Sequence, residues 1–502
     1  MPHALSVNKL SEMCVDFIKD NMGEFCKMSA LRRPTGVDAF NSENSQSPFD
    51  SLPSVILEGI IRHLTQNNQL KEQYLELLIT PHLRTLDFSM CDKNSISGLL
   101  RLASRKCPHL RSLWLGRLGY FLGCLNFIPK FMHLQVLDIS GSATADSLLH
   151  LLGTYCADLR ELHIDDSLVS DAGIHGLCVI GKCKSIQILN LNETNVTCIG
   201  TTMALKNLPV LKELRHDSIV ETLAYLHQSA LREDVPTDTK YSLSALSIRF
   251  SSPYVKGNLS EVVSLCPSLS KVEIKTPDSF RNRDLLDLLP MEKLCDLTIS
   301  GTRTSQVSFD VGVAPLLRKS SIGNSLKSLS LCNFSKVNVR IITEHCPNLR
   351  FLSLDKNERL MELYNADERL AYQRNNQLAA PQKLKKLETL KICSCNCASN
   401  LLLLLSSPSL VSVTLENCYA LTDDVLQKAA DLDTFQNLEH FEVISNHRIS
   451  FRGIDALMRE NNPLKVIKLK DCSNVTDTNL EDWKKLIRDE NWQLSITKHG
   501  RF

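Results

Sequence analysis

The sequence has no excess of either charge: 57 Lys and Arg stand against 56 Asp and Glu, a formal net charge of +1. No general field therefore draws it to nucleic acid or to an acidic membrane surface, and only a local patch could serve such a role. Long apolar runs are missing too. No stretch of about 18 uninterrupted apolar residues occurs, and the run from Leu401 to Leu405 is far too short to span a bilayer. The opening MPHALSVNKLSEM lacks a basic segment followed by an apolar core and a small-residue cleavage site, so no secretory signal is read and a cytoplasmic or nuclear location is expected. Every familiar catalytic signature is incomplete: there is no HExxH, no GxxxxGK[ST], no GxSxG and no GxGxxG, and the 14 histidines are scattered singly. Neither an enzyme nor a cofactor is expected. What remains, 43% hydrophobic and 23% charged, is the composition of an ordinary globular chain.

Present many times is a short phrase, apolar-x-x-apolar-x-apolar, seen as LRTLDF from Leu83, LRSLWL from Leu110, LQVLDI from Leu134 and LRELHI from Leu159. Further copies begin at Ile186, Leu211, Leu243, Leu269, Leu294, Leu326, Leu349, Leu387, Leu410, Leu438 and Leu464, fifteen in all, at a usual step of about 23 to 28 residues. That phrase at that period is a leucine-rich repeat, one strand and one returning helix per coil. No coil can bury its own leucines, so the coils must stack. The predicted class is an α/β solenoid, a horseshoe with a parallel sheet on its concave face and helices on its convex face.

Cysteine marks the subtype. Cys91, Cys418 and Cys472 stand three residues after the last apolar position of their phrases, where such repeats use Asn or Cys to satisfy a turning backbone, and Thr-Asp follows in LENCYALTDDVL and LKDCSNVTDTNL. A second cysteine precedes the next phrase in CPHL, CPSL and CPNL, at Cys107, Cys266 and Cys346. These features resemble the cysteine-containing repeats of F-box proteins and their relatives over roughly residues 80 to 480. The 18 cysteines are read as reduced, buried thiols, and the five Asn-x-Ser/Thr triplets carry no meaning as glycosylation sites without secretion. The dense group Cys393, Cys395 and Cys397 invites a metal assignment, but Cys395 falls on the repeat's own cysteine position and no second pair at zinc-finger spacing follows, so no metal is expected.

Three steps are longer than the rest, and LREDVPTDTK, GTRTSQVSFDVGVAPLLRKSS and NADERLAYQRNNQLAAPQK carry the excess as expected loops or longer helices. After the last phrase, NLEDWKKLIRDENWQLSI has helical apolar spacing and is expected to cap the solenoid over 481–502, with Trp483 and Trp492 structural. Ahead of the repeats, Leu10, Met13, Cys14, Phe17 and Ile18 recur at offsets of three and four, so a helix places them on one apolar stripe.

Leu10-x3-Cys14-x3-Ile18, with Phe17 beside it, resembles the BC-box by which substrate receptors dock on Elongin-C. Of the cysteines, only Cys14 has Leu four before and an aliphatic residue four after. Lys9 stands where that family has Ser, Thr or Pro, a departure that bears on affinity rather than geometry. A polar, flexible linker over 31–49 leads to LPSVILEGI, in which Leu52, Pro53, Ile56 and Ile60 resemble the cullin-2 box of receptors of the von Hippel-Lindau type. The same stretch resembles the first half of an F-box, which would instead bring the Skp adaptor and cullin-1, although the interval before Leu83 is short for one.

Together the features are similar to the zyg/zer family of cullin-2 receptors. Those proteins continue into an armadillo-like domain that reads substrate termini, whereas this sequence ends at Phe502, so their specificity is not carried over. The resemblance implies a BC-box region over 1–30, a cullin-box region over 50–80 and a solenoid over 81–480, with Elongin-C, Elongin-B and cullin-2 as partners and neither nucleic acid nor membrane. Register alone puts Trp114, His163, Arg215, Glu273, Lys391, Glu442 and Lys468 on the concave face, where an unidentified target protein would sit. A plain repeat scaffold or inhibitor with no ligase connection stays open beside both receptor readings, as does packing of the N-terminal stripe on the first coil.

Overall fold

Each of the fifteen phrases becomes a strand that begins two residues after its first apolar position. In the computed structural model the described residues are 10–31, 47–66, 69–89, 91, 93–116, 125–232, 240–249, 254–302, 305–334, 336–357, 384–432, 435–459 and 463–499. The chain divides into two compact units between residues 243 and 244. In the first, β1 (Thr85–Asp87), β2 (Ser112–Trp114), β3 (Val136–Asp138), β4 (Glu161–His163), β5 (Ile188–Asn190) and β6 (Glu213–Arg215) pair in parallel, in chain order. In the second, β7 (Ala245–Arg249), β8 (Lys271–Lys275), β9 (Asp296–Ser300), β10 (Ser328–Cys332), β11 (Phe351–Asp355), β12 (Thr389–Cys393), β13 (Ser412–Glu416), β14 (His440–Ile444), β15 (Val466–Lys470) and β16 (Ser495–His499) do the same. Each unit is a leucine-rich-repeat solenoid built on a parallel sheet.

The register explains why the phrase is needed. Leu86, Leu113, Leu137, Leu162, Leu189 and Leu214 are mutual partners across β1 to β6, and all are fully buried. Each such leucine contributes about 1.5 to 3 kcal/mol by leaving water, but only because the coil on either side supplies the rest of its cavity. The helices close each coil on the other face. Their N-termini are capped by Ser170, Thr197, Asn338, Thr422 and Thr476, whose side-chain oxygens accept from the first free backbone amides.

Neighbouring coils are joined by the aspartate of the Thr-Asp and Ser-Asp pairs. Asp171 accepts from the amide and hydroxyl of Thr197 and from the Gly200 amide, while Asp423 accepts from the same groups of Ser450 and Gly453. One carboxylate thus tethers the next coil's helix start. Glycine is required opposite it, since a Cβ at Gly453 would stand 2.6 Å from Asp423 Oδ1. The repeat cysteines work likewise: Cys107 reaches the Thr80 carbonyl at 3.2 Å, Cys183 the Cys156 carbonyl at 3.1 Å and Cys418 the Ile392 carbonyl at 3.6 Å, each across one coil. Asn357 and Asn446 take the same place, with Asn357 donating to Leu331 and accepting from Phe334.

The C-terminal segment differs from the expected helical cap. The helix Asp477–Asp489 ends at Glu490, and residues 495–499 add a sixteenth strand paired with β15 through Ile467 and Ile496. That coil escapes a search for apolar spacing because two of its three phrase positions are Gln493 and Lys498, and the strand is set by its backbone bonds to β15 together with buried Leu494 and Ile496. Trp483 is buried and donates from Nε1 to Asp455 at 2.8 Å, and Trp492 is buried as well. Of the insertions, 309–321 forms short helices that bury Phe309, Val313, Leu316 and Leu317, while 303–304, 233–239 and 365–383 lie outside the described residues.

Candidate functional site

Among the described residues four helices precede β1: α1 (Leu10–Asp20), α2 (Met22–Leu31), α3 (Ser54–Gln66) and α4 (Glu72–Leu78). The last three form the end of the first unit. In α3, Leu57, Ile60, Ile61 and Leu64 are buried, and in α4 Leu75, Leu77 and Leu78 are. α2 is fixed by buried Met22, by the Cys26 thiol directed at the Gln73 carbonyl, and by Phe25 edge-on to Phe49 with ring centroids 5.2 Å apart. Of the expected linker, 32–46 lies outside the described residues, whereas Ser47 and Phe49 are buried, with the Ser47 hydroxyl donating to the Leu77 carbonyl.

α1 packs against α2 and α3 yet keeps much of its apolar stripe in water. Met13 is 55% and Phe17 61% exposed, Cys14 is exposed, and Ile18 is half-buried. Leu10 opens the helix, and its side chain lies outside the described residues. The four residues of the second box are split by α3. Pro53 is exposed, Leu52 and Ile56 are half-buried, and Ile60 is fully buried within the chain itself, so Ile60 offers no surface for a cullin. Val55, absent from the sequence assignment, is 77% exposed at the same end of α3.

The seven expected target-facing residues fall in two rows, one in each unit. Asp87, Trp114, Asp138, His163, Asn190 and Arg215 are successive partners across β1 to β6. Glu273, Lys391, Glu442 and Lys468 belong to the corresponding row across β8 to β15. Trp114 is half-buried, Arg215 is paired with Glu213, Glu442 with Lys470 at 3.0 Å, and the Lys391 ammonium lies 5.8 Å from the Phe351 ring centre. In these rows Arg215, Glu442 and Lys391 are thus engaged by neighbours within the chain. Among the described residues no three His, Cys, Asp or Glu side chains are grouped to hold a metal ion. Cys395 is buried, and burial pushes its thiol up to about 11, away from any nucleophilic role at neutral pH.

No protein-family model and no curated protein matches the chain. Among solved structures it is similar to the yeast complex of Rad7 and Elc1, at 15% identity and a TM-score of 0.44, with 94% of this chain and 96% of that chain covered. It is also similar to a leucine-rich-repeat protein of Leptospira interrogans, at 16% identity and a TM-score of 0.32, covering 85% of this chain and 92% of that chain. An internalin of Listeria monocytogenes gives 16% identity and a TM-score of 0.32, covering 74% of this chain and 93% of that chain. Among the described residues no helix is long and apolar enough to cross a membrane.

Proposed function

We propose that this chain is a non-enzymatic substrate-recognition subunit of a cullin-RING ubiquitin ligase. It docks on Elongin-C, and with it Elongin-B, through α1, meets cullin-2 through Pro53, Val55 and Ile56 at the start of α3, and holds a target protein on the solenoid. The observation that carries the reading is the solvent-facing stripe of Met13, Cys14 and Phe17 on a helix that the chain itself braces. More than half of Met13 and of Phe17 is left in water by the chain's own packing. Buried in an adaptor, each would contribute on the order of 1.5 to 3 kcal/mol, enough together for a stable contact. Catalysis belongs to the RING and its conjugating enzyme, and this chain supplies proximity by holding target lysines near the charged enzyme.

Co-purification of the full chain with Elongin-B and Elongin-C tests this. Wild type retains the adaptor, and Cys14→Asp with Phe17→Asp loses it by more than tenfold with no change in melting, because both side chains are exposed. Recovery of the Skp adaptor instead selects the F-box-like reading with cullin-1. Recovery of neither leaves a repeat scaffold outside the ligase system.

A further inference from the structure

The charge balance of the whole chain conceals a one-signed ledge. In each phrase the residue after the first apolar position forms a backbone-bonded rung just before the strands. In the first unit that rung runs Arg84, Arg111, Gln135, Arg160, Gln187 and Lys212, with successive amide-to-carbonyl distances of 2.7 to 2.8 Å. Arg84, Arg111 and Arg160 are exposed, and among the described residues their guanidinium groups have no hydrogen-bond or ion-pair partner. Two residues earlier in each phrase lies a second row, exposed His82, His109 and His133. The His109 and His133 ring centroids are 6.0 Å apart, and Asp158, the acid in that row, lies against His133 at 3.4 Å. The row just inside the rung holds Glu161 and Glu213, of which Glu213 is taken by Arg215.

The second unit shows what this register accepts. There the same rung position pairs Arg350 with Glu388 at 3.0 Å and Lys465 with Glu439 at 2.8 Å, each between residues whose backbones are bonded rung to rung. In the first unit Gln135 and Gln187 stand in the rung where the second unit has glutamates, so no carboxylate of the rung answers Arg84, Arg111 or Arg160. Like charges on strands about 4.8 Å apart repel, and a planar guanidinium is best met by a two-oxygen anion.

We infer that this ledge is a docking surface for an acidic protein segment, whose Asp or Glu carboxylates take the places that Glu388 and Glu439 hold in the second unit. Six rungs span about 24 Å, the reach of roughly eight extended residues. A nucleic acid fits less well. No aromatic side chain stands in the rung itself for base stacking, whereas the same register in the second unit accepts carboxylates against Arg350 and Lys465. The ledge belongs to the solenoid alone, so binding there is independent of the adaptor reading for α1.

Fluorescence anisotropy with the full chain and a labelled peptide of about eight residues alternating Glu and Ser tests the assignment. Wild type binds it at least tenfold tighter than the Gln-Ser counterpart, and binding weakens as salt rises. The triple variant Arg84→Glu, Arg111→Glu, Arg160→Glu loses that binding and gains affinity for a Lys-Ser peptide, while the neutral triple variant to Gln loses the first without gaining the second. Cys14→Asp with Phe17→Asp leaves peptide binding unchanged, which separates this surface from α1. Equal binding of the Glu and Gln peptides by wild type, or undiminished binding by the folded charge-reversed variant, overturns the inference. So does tighter binding of a single-stranded RNA of equal length.

Discussion

Replacing Asp423 by alanine removes one acceptor from three bonds that the next coil makes: the Ser450 amide at 2.9 Å, its hydroxyl at 2.6 Å and the Gly453 amide at 3.1 Å. All three are charge-assisted and part-buried; at about 1 kcal/mol net for each, Asp423→Ala should cost about 3 kcal/mol. Gly453→Ala introduces a Cβ 2.6 Å from Asp423 Oδ1 and 3.2 Å from Leu426 Cδ1. The first contact is impossible without a shift, so this variant should cost about 2 kcal/mol. With the carboxylate gone the impossible contact goes, leaving Leu426 Cδ1 at 3.2 Å and the residue 423 Cα at 3.3 Å to yield by a few tenths of an ångström, and alanine in a first helical turn returns up to about 1 kcal/mol relative to glycine. The double variant should therefore lose about 2 to 3 kcal/mol rather than the sum of about 5. Urea unfolding of the four proteins measures the cycle, and hydrogen exchange at the Gly453 amide localises it to the helix Phe451–Arg459. Additivity within about 0.5 kcal/mol would refute the idea that one carboxylate and one glycine form a single joint.

Other outcomes follow from burial. Glu221 has its carboxyl raised above the ordinary glutamate value of 4.5, first by desolvation, and its Oε2 is buried without a partner. The unfolded chain ionises first, so the stability associated with the protonated form is present below the unfolded value and is lost as pH rises through the folded one. Glu221→Gln should accordingly stabilise at neutral pH and be neutral in acid, read from urea midpoints across pH. Thiol titration of the native protein should label exposed Cys14 and Cys198 quickly, with Elongin-C shielding Cys14. Cys107 and Cys346, pushed up to about 12 by burial, should react only on unfolding. Trp483→Phe should cost about 1 to 2 kcal/mol by leaving Asp455 without its indole donor, and adding Asp455→Ala should cost little more.

The phrase told where fifteen strands lie because its leucines must leave water together, and Cys395 announced its own burial by standing three residues after Ile392. The strand at 495–499 was silent for the converse reason: with Gln493 and Lys498 in phrase positions the repeat's spacing is lost, and the edge of β15 with the burial of Leu494 and Ile496 selects it. Ile60 misled because α3 has apolar residues on more than one face, and sequence spacing does not say which of them meets the coil. The basic ledge had a signal in the recurring Leu-Arg of LRTL, LRSL and LREL, hidden by a net charge that sums over residues without regard to where they stand.

By itself the sequence determined the solenoid, since a repeating need to bury leucine is satisfied only by coils that stack in order. It also determined a helical stripe at the N-terminus, because the offsets of Met13, Cys14 and Phe17 fit one helix face. Tertiary structure alone decided that this stripe stays largely in water, that Ile60 does not, and that Arg84, Arg111 and Arg160 line up without carboxylates between them. Exposure and pairing depend on residues some twenty-five positions away, brought alongside by strand register, and a local pattern carries no information about which neighbour arrives there.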